Sequence, residues 1–362
     1  MTFHDLDTPA LLVDLKALQG NIERAAAAAL AARKRLRPHT KTHKCLQIAR
    51  MQVDGGARGL TVAKLGEAEV FADGGFDDLF VANELVGAAK IERLGALARR
   101  VRVSVGVDSL ECAEGLTRAS QIAGAPLPVR IEVDTGHHRA GVRSVAEAVA
   151  LAQRISEIPA LALTGVFTHE GHVYAANSED LPRICSEAAA MLAEAGEAIA
   201  PFCRSAPEVS VGSTPGFAEM AGQPGVTELR PGVYVFNDAM QCGFGAPDER
   251  CAMTVLATVV SRPDERTALL DAGTKALSGD RGPDACRHGR VLEYPEARFD
   301  WASEEHGHLD LSGSAARPRI GEKVRIVPWH ACATTNMHDN LFAVQDETVV
   351  DVWPVAARGR IR

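Results

Sequence analysis

The chain of 362 residues is 46% hydrophobic and 24% charged, with a formal net charge of -8 and eight cysteines. This is the composition of an ordinary globular protein, and the acidic balance argues against nucleic acid or an anionic membrane as main partner, which leaves a small molecule. No basic segment precedes an apolar one in Met1–Asp7, no apolar run reaches bilayer-spanning length, and the cysteines stand singly with no C-x-x-C pair. A cytoplasmic protein without a disulfide framework is expected.

In chain order, Pro9-Ala10-Leu11-Leu12-Val13-Asp14 is strand-like, and an alanine-rich helix over 15–36 follows it. From Leu36 to about Phe236, eight short strands alternate with helical patterns, at 36–42, 59–63, 78–83, 101–107, 129–135, 161–169, 208–212 and 228–236. Apolar residues at three- and four-residue spacing mark helices most clearly at 144–158 and 179–199. Eight strand–helix units predict an α/β fold of the TIM (β/α)8 barrel type. After Asp238, alternating runs such as 253–260 and 323–327 come without long helices between them, the pattern of an antiparallel β domain that the first strand could join. The predicted division is a barrel over 15–240 and a smaller antiparallel β domain made of 1–14 plus 241–362.

Barrels carry their chemistry at the C-terminal ends of the strands. In Arg35–Lys44, strand alternation puts Arg37, His39, Lys41 and His43 on one face. Crowded cations depress a lysine's pKa, and a partly neutral lysine can attack the aldehyde of pyridoxal phosphate; the alternative is an exposed basic strand end. The fifth strand ends in Glu132-Val133-Asp134-Thr135-Gly136-His137-His138-Arg139, where Gly136 permits a tight turn and the planar fork of Arg139 could hold a phenolate oxygen or simply pair with Asp134. The sixth ends in Thr168-His169-Glu170-Gly171-His172-Val173-Tyr174. Tyr174 could donate to a pyridine nitrogen or be a buried phenol satisfied by a carbonyl, and His169 and His172 are either positioners or packed polar residues. Val211-Gly212-Ser213-Thr214-Pro215-Gly216 has the small residues and hydroxyls of a phosphate cradle, and the eighth strand brings Tyr234 to the region where barrels bind phosphate. In the β domain, His330 and Cys332 lie two apart on a predicted strand, so their side chains share a face; imidazole and thiolate suit zinc and leave positions open for water and substrate. His338, Glu304, Glu305, His306 and Asp271 are further candidate ligands or orienters.

Together these segments resemble the fold-type III pyridoxal-phosphate family that contains D-serine dehydratase, D-threonine aldolase and, more distantly, alanine racemase. The resemblance covers nearly the whole chain and is carried by Asp7-Thr8-Pro9, Arg37–Lys44, Val133–Arg139, Val211–Pro215 and His330-Ala331-Cys332. It implies that Lys41 is the Schiff-base lysine, that Arg139 faces the cofactor's phenolic oxygen and Tyr174 its pyridine nitrogen, and that His169 is a further cofactor contact. Gly212, Ser213, Thr214 and Tyr234 would take the phosphate. The H-x-C pair looks like the dehydratase branch, whose metal is usually zinc, with manganese or magnesium as alternatives. The implied activity is metal-dependent dehydration and deamination of D-serine or another 3-hydroxy D-amino acid to a 2-oxo acid and ammonia, by a homodimer. The alternative is a D-threonine aldolase giving glycine and an aldehyde; an amino acid racemase and a non-catalytic pyridoxal-phosphate carrier are further alternatives. Two positions depart from the family pattern: Glu170 stands where a glycine is expected and Trp329 where an asparagine is expected.

Overall fold

A computed structural model describes residues 1–283 and 286–362. The chain forms two compact units, one of residues 24–41, 49–232 and 360–362, the other of 1–23, 42–48 and 233–359.

The first unit holds eight parallel strands in the order Arg35–Leu36, Glu228–Leu229, Glu208–Val211, Leu161–Phe167, Leu127–Glu132, Arg102–Val107, Asp78–Glu84 and Leu60–Val62. The two ends of this order meet through a parallel bridge between His39 and Thr61, where Thr61 N–H donates to Pro38 O at 2.8 Å. The eight strands and intervening helices are those of the predicted barrel. Helix 145–156 begins where Ser144 Oγ accepts from Glu147 N–H at 3.1 Å, and it buries Ala148, Leu151, Ala152 and Ile155, the stripe its spacing foretold. Helix 181–199 buries Ile184, Ala188, Leu192, Ala195 and Ile199 in the same way.

The barrel interior is more polar than the branched aliphatic filling usual in such folds. Fully buried Glu228 accepts from Arg37 Nε at 2.8 Å, Arg130 Nη1 at 2.6 Å and Ser210 Oγ at 2.6 Å. Arg37 also pairs with Asp78 at 2.5 Å, and Arg130 with Glu208. The Arg130 guanidinium lies 4.3 Å from the centroid of Phe80, which meets Phe167 edge to face at 5.0 Å.

This network corrects the expected face of cations. The predicted strand 36–42 ends at Leu36; Thr40–Thr42 is a turn of 3-10 helix, closed by Thr40 Oγ1 donating to Thr61 O at 3.1 Å. Arg37 therefore points into the barrel to its carboxylates, and His43 turns to the backbone of Cys45 at 3.1 Å. Lys41 sits on the turn rather than on a pleat. The first helix likewise stops at Ala31 instead of reaching residue 36, because Arg33 takes a left-handed backbone (φ 56°) and Lys34 N–H folds back to Ala29 O. The eighth strand ends at Leu229 and Tyr234 lies on the 3-10 turn Val233–Val235.

The second unit is a nine-stranded sheet. Its main path runs 298–302, 307–310, 267–270, 253–261, 10–14, 340–345 and 348–354, with 323–328 paired to 253–261 and 289–291 to 323–328. Ala10–Asp14 does join this sheet, antiparallel to 253–261; its pairing with Asn340–Gln345 is parallel, the exception in an otherwise antiparallel sheet.

Candidate active site

At the C-terminal ends of the barrel strands, Lys41 stands among imidazoles that its own environment keeps neutral. Burial first, then the cations of Lys41 and Arg230, push His39 well below its usual value. Burial and then Lys41 lower His169 to about 3, against a 2.6 Å hydrogen bond in which His169 Nδ1–H donates to Gly212 O. That bond assigns the proton to Nδ1 and leaves Nε2 as a lone-pair acceptor. His137 meets His169 at a ring separation of 5.4 Å, and Tyr174, on the turn Gly171–Ala175, lies 6.4 Å from the His169 ring. Arg139 pairs with Glu132 at 3.2 Å and not with Asp134, whose carboxylate instead accepts from the N–H groups of Gly136 (φ +126°) and His138 and contacts the His138 ring at 3.1 Å.

Gly212 is clasped from both sides. Its carbonyl accepts the hydrogen bond from His169 Nδ1–H and its N–H donates to Glu170 Oε2 at 3.1 Å. A Cβ here would lie 2.8 Å from Arg230 O, so the residue contributes close approach rather than a spare donor. Buried Ser213 and adjacent Thr214 complete the cradle, with Ser213 Oγ accepting from Gly216 N–H at 3.1 Å. Glu170 is fully buried, and its Oε1 has no hydrogen-bond partner.

In the β-sheet unit His330 and Cys332 come together, though not on a strand. The strand ends at Pro328, His330 is the N-cap of helix 331–335, and the Ala331 N–H donates to Asp238 Oδ2 at 2.8 Å. Burial works against protonation of His330, but a hydrogen bond with Cys332 and the carboxylates of Asp238 and Asp280 lift it to about 10. Asp280 Oδ2 lies 2.6 Å from Nδ1, which orients Nε2 outward. Cys332 Sγ is 3.1 Å from the hydroxyl of Thr42, the residue after Lys41 in the chain. Three of the other candidate ligands are committed elsewhere: Asp271 to Thr8 and to Thr258 N–H, His338 Nε2 to Ala276 O, Glu305 to Lys275. Among the described residues no group of three or more histidines, cysteines or acids is poised for a metal.

The family profile for the alanine racemase N-terminal domain matches residues 13–239, and that for a serine dehydratase domain matches 252–344. D-threonine aldolase of Arthrobacter sp. is 35% identical over 98% of this chain and 93% of its own length. D-threo-3-hydroxyaspartate dehydratase of Delftia sp. (strain HT23) is 35% identical over 97% of this chain and 98% of its own. The chain belongs to the D-serine dehydratase and D-threonine aldolase family of lyases. Among solved members, the D-threonine aldolase of Filomicrobium marinum superposes with a TM-score of 0.91 at 33% identity, covering 100% of this chain and 98% of that one. Two variants of D-threo-3-hydroxyaspartate dehydratase superpose equally well. One is a metal-free cysteine-to-alanine form, TM-score 0.90 at 33% identity over 98% of both chains; the other is a histidine-to-alanine form, TM-score 0.91 at 34% identity over 98% of this chain and 96% of that one.

For a member of this lyase family, the residues that sequence reasoning missed are carboxylates. Asp238 and Asp280 lie far in sequence from the pair they support, and no spacing announces them. Glu84 was likewise silent. It ends the strand 78–84, and burial, then a hydrogen bond with Glu132, raise it from the usual 4.5 to about 8. The folded protein therefore carries a proton here that the unfolded chain gives up above about pH 4.5, so this contribution to stability is complete below that value and is lost as pH rises through 8. Glu84→Gln, which cannot ionise, is expected to gain up to about 4 kcal/mol over the parent between pH 5 and pH 9. Urea unfolding at the two pH values measures this, and equal pH dependence in both proteins would refute the shared proton.

Proposed function

We propose that the protein is a pyridoxal-phosphate- and divalent-metal-dependent lyase that dehydrates and deaminates a β-hydroxy D-amino acid to a 2-oxo acid and ammonia. The observation that carries this reading is the His330 imidazole with Asp280 Oδ2 2.6 Å behind its Nδ1 and the Cys332 thiol two residues on in the helix that His330 caps, a donor pair that fits zinc. The histidine and cysteine substituted in the two dehydratase variants are also two residues apart, the same H-x-C spacing, and the cysteine variant was obtained metal-free. The barrel mouth fits an anionic cofactor in the same sense, with Lys41 and Arg139 as cations beside neutral His39 and His169 and a cradle of small residues at 212–214.

Bound pyridoxal phosphate would supply an aldehyde for the lysine amine and an electron-poor ring, and the metal a Lewis acid for the substrate hydroxyl. Lys41 Nζ holds the cofactor and takes the Cα proton. Arg139, itself oriented by Glu132, faces the phenolic oxygen. The Tyr174 hydroxyl would donate to the ring nitrogen without protonating it, so the ring would be a modest electron sink and a Lewis acid would assist departure of the hydroxyl. His169 Nε2, its tautomer set by Gly212, is a cofactor contact; Ser213, Thr214 and Tyr234 take the phosphate, with Gly212 making room. His330 and Cys332 would hold the metal, and a nitrogen–sulfur donor pair suits zinc. We further propose a cytoplasmic homodimer, in line with eight unpaired cysteines and no helix among the described residues long and apolar enough to cross a membrane.

Aldol cleavage to glycine and an aldehyde is the second reading, favoured by the identity to D-threonine aldolase. A panel of D-serine, D-threonine and 3-hydroxy-D-aspartate, assayed for oxo acid, aldehyde and enantiomer before and after chelation, separates the readings. Oxo acid and ammonia that vanish with the metal and return with zinc are expected. Aldehyde as the main product would make the protein an aldolase, and turnover that survives full metal removal would remove His330 and Cys332 from the mechanism.

A further inference from the structure

We propose that Cys242 and Cys251 are a peroxide-reactive dithiol, a modification site apart from the residues assigned to the lyase reaction. Their sulfurs lie 3.4 Å apart, and both side chains are half-buried, within reach of a small oxidant. Cys242 lies on the short helix Ala239–Gly243, and Cys251 follows the turn Asp248–Arg250. The backbone on both sides is already fixed. Cys242 N–H donates to Asp238 O at 3.0 Å and Cys251 N–H to Asp248 O at 2.9 Å, while Asn21 and Asn237 both donate to Arg250 O and Ala252 N–H donates to Phe236 O. A disulfide of about 2.05 Å therefore asks for side-chain rotation rather than rearrangement of the chain.

The charges around the pair divide the labour. The hydrogen bond from Cys251 is the largest influence on Cys242 and lowers it below the usual thiol value; Arg290, held by Asp248 at 2.6 Å, lowers it further, while burial and Asp248 itself oppose. Cys251 is raised by the same bond, by burial and by Asp238, with Arg290 opposing. Cys286 is the third thiol facing this cluster, itself raised by burial. Elsewhere burial pushes Cys45, Cys112 and Cys203 up to about 11 and Cys185 to about 12, so Cys242 stands out as the nucleophile and Cys251 as its partner. The Cys242 thiolate attacks one oxygen of hydrogen peroxide, the O–O bond breaks, and hydroxide leaves as water after taking a proton. The Cys251 sulfur then displaces the second oxygen from the sulfenic acid, forming the S–S bond and releasing the Cys251 proton with that oxygen as a second water; two thiols give up two electrons and one peroxide is reduced.

The test is to treat the metal- and cofactor-loaded protein with one equivalent of hydrogen peroxide, block the remaining thiols, and map the unreduced digest by mass spectrometry. A cross-linked peptide joining Cys242 to Cys251, lighter by two hydrogens and reversed by dithiothreitol, is expected as the first oxidation product. Cys251→Ser should instead accumulate a dimedone-trappable sulfenic acid on Cys242, and Cys286→Ser should leave the cross-link intact. Linkage of Cys242 to Cys286, or oxidation of other cysteines while Cys242 and Cys251 stay reduced in the unsubstituted protein, overturns the proposal without recourse to any variant.

Discussion

Lys41→Ala is expected to leave a folded protein that can no longer hold its cofactor covalently and whose turnover falls by a factor of at least about 100 to 10 000, the range lost with a positioned proton-transfer group. Two functions would end together, because the proposed mechanism gives one amine both the anchoring of the cofactor and the Cα proton. Lys44 is the obvious competitor in the same segment, and it is already employed: its ammonium donates to Asn336 Oδ1 at 2.9 Å and its carbonyl accepts from Ala357 N–H at 3.0 Å. Lys41 makes itself felt in the displaced titration of both His39 and His169. Borohydride reduction of the loaded protein followed by peptide mapping should put the label on Lys41. Lys41→Arg keeps the positive charge and the fold but not the nucleophile, and should take no label. A label on Lys44 or Lys64 would sink the assignment.

The sequence made the barrel readable because strand periodicity and helix spacing alternate eight times, and helices 145–156 and 181–199 carry their buried stripes where the spacing put them. It also made the H-x-C pair conspicuous. What it hid were interactions between distant residues. Arg37 reads as one of four stacked cations only until Glu228, on the last barrel strand, is known to be its partner. His330 and Cys332 read as strand neighbours because nothing nearby signals that Asp238 will cap the Ala331 N–H and start a helix between them. Glu170 reads as a departure from the family pattern, where a glycine is expected; in the fold its carboxylate closes on Gly212, a contact between two strand ends that spacing cannot disclose. Local pattern carries backbone geometry well, whereas the pairing of buried charges depends on which strands become neighbours.

The largest stability effect is expected at Glu228. Burial, the strongest influence on it, favours the neutral acid, yet Arg130 and Arg37 hold the group below the usual carboxylate range, so its contribution is present above about pH 4.5 and is lost as pH falls through the lower folded value. Glu228→Gln keeps the shape but removes the fully buried countercharge that two guanidinium groups share, leaving Arg37 with Asp78 alone and Arg130 with Glu208 alone, at a cost of about 3 to 5 kcal/mol, a large share of the roughly 5 to 15 kcal/mol that holds most domains folded. The damage should also travel, because Ser210 Oγ donates to Glu228 while accepting from Arg230 Nη1, and Arg230 Nη2 donates to Thr168 O. Those contacts brace the ends of the strands that carry His169 and the 212–214 cradle. Urea unfolding should therefore show the midpoint falling several-fold further for Glu228→Gln than for Glu208→Gln, whose carboxylate lies partly exposed at the barrel rim. Removing both guanidinium groups as well, in the triple variant Glu228→Leu, Arg37→Met, Arg130→Met, should recover part of the loss, since apolar replacement of buried ion partners is often near neutral and the remaining carboxylates of Asp78 and Glu208 are partly exposed to water. Equal losses for Glu228→Gln and Glu208→Gln would mean that the network is a bystander to the stability of the barrel.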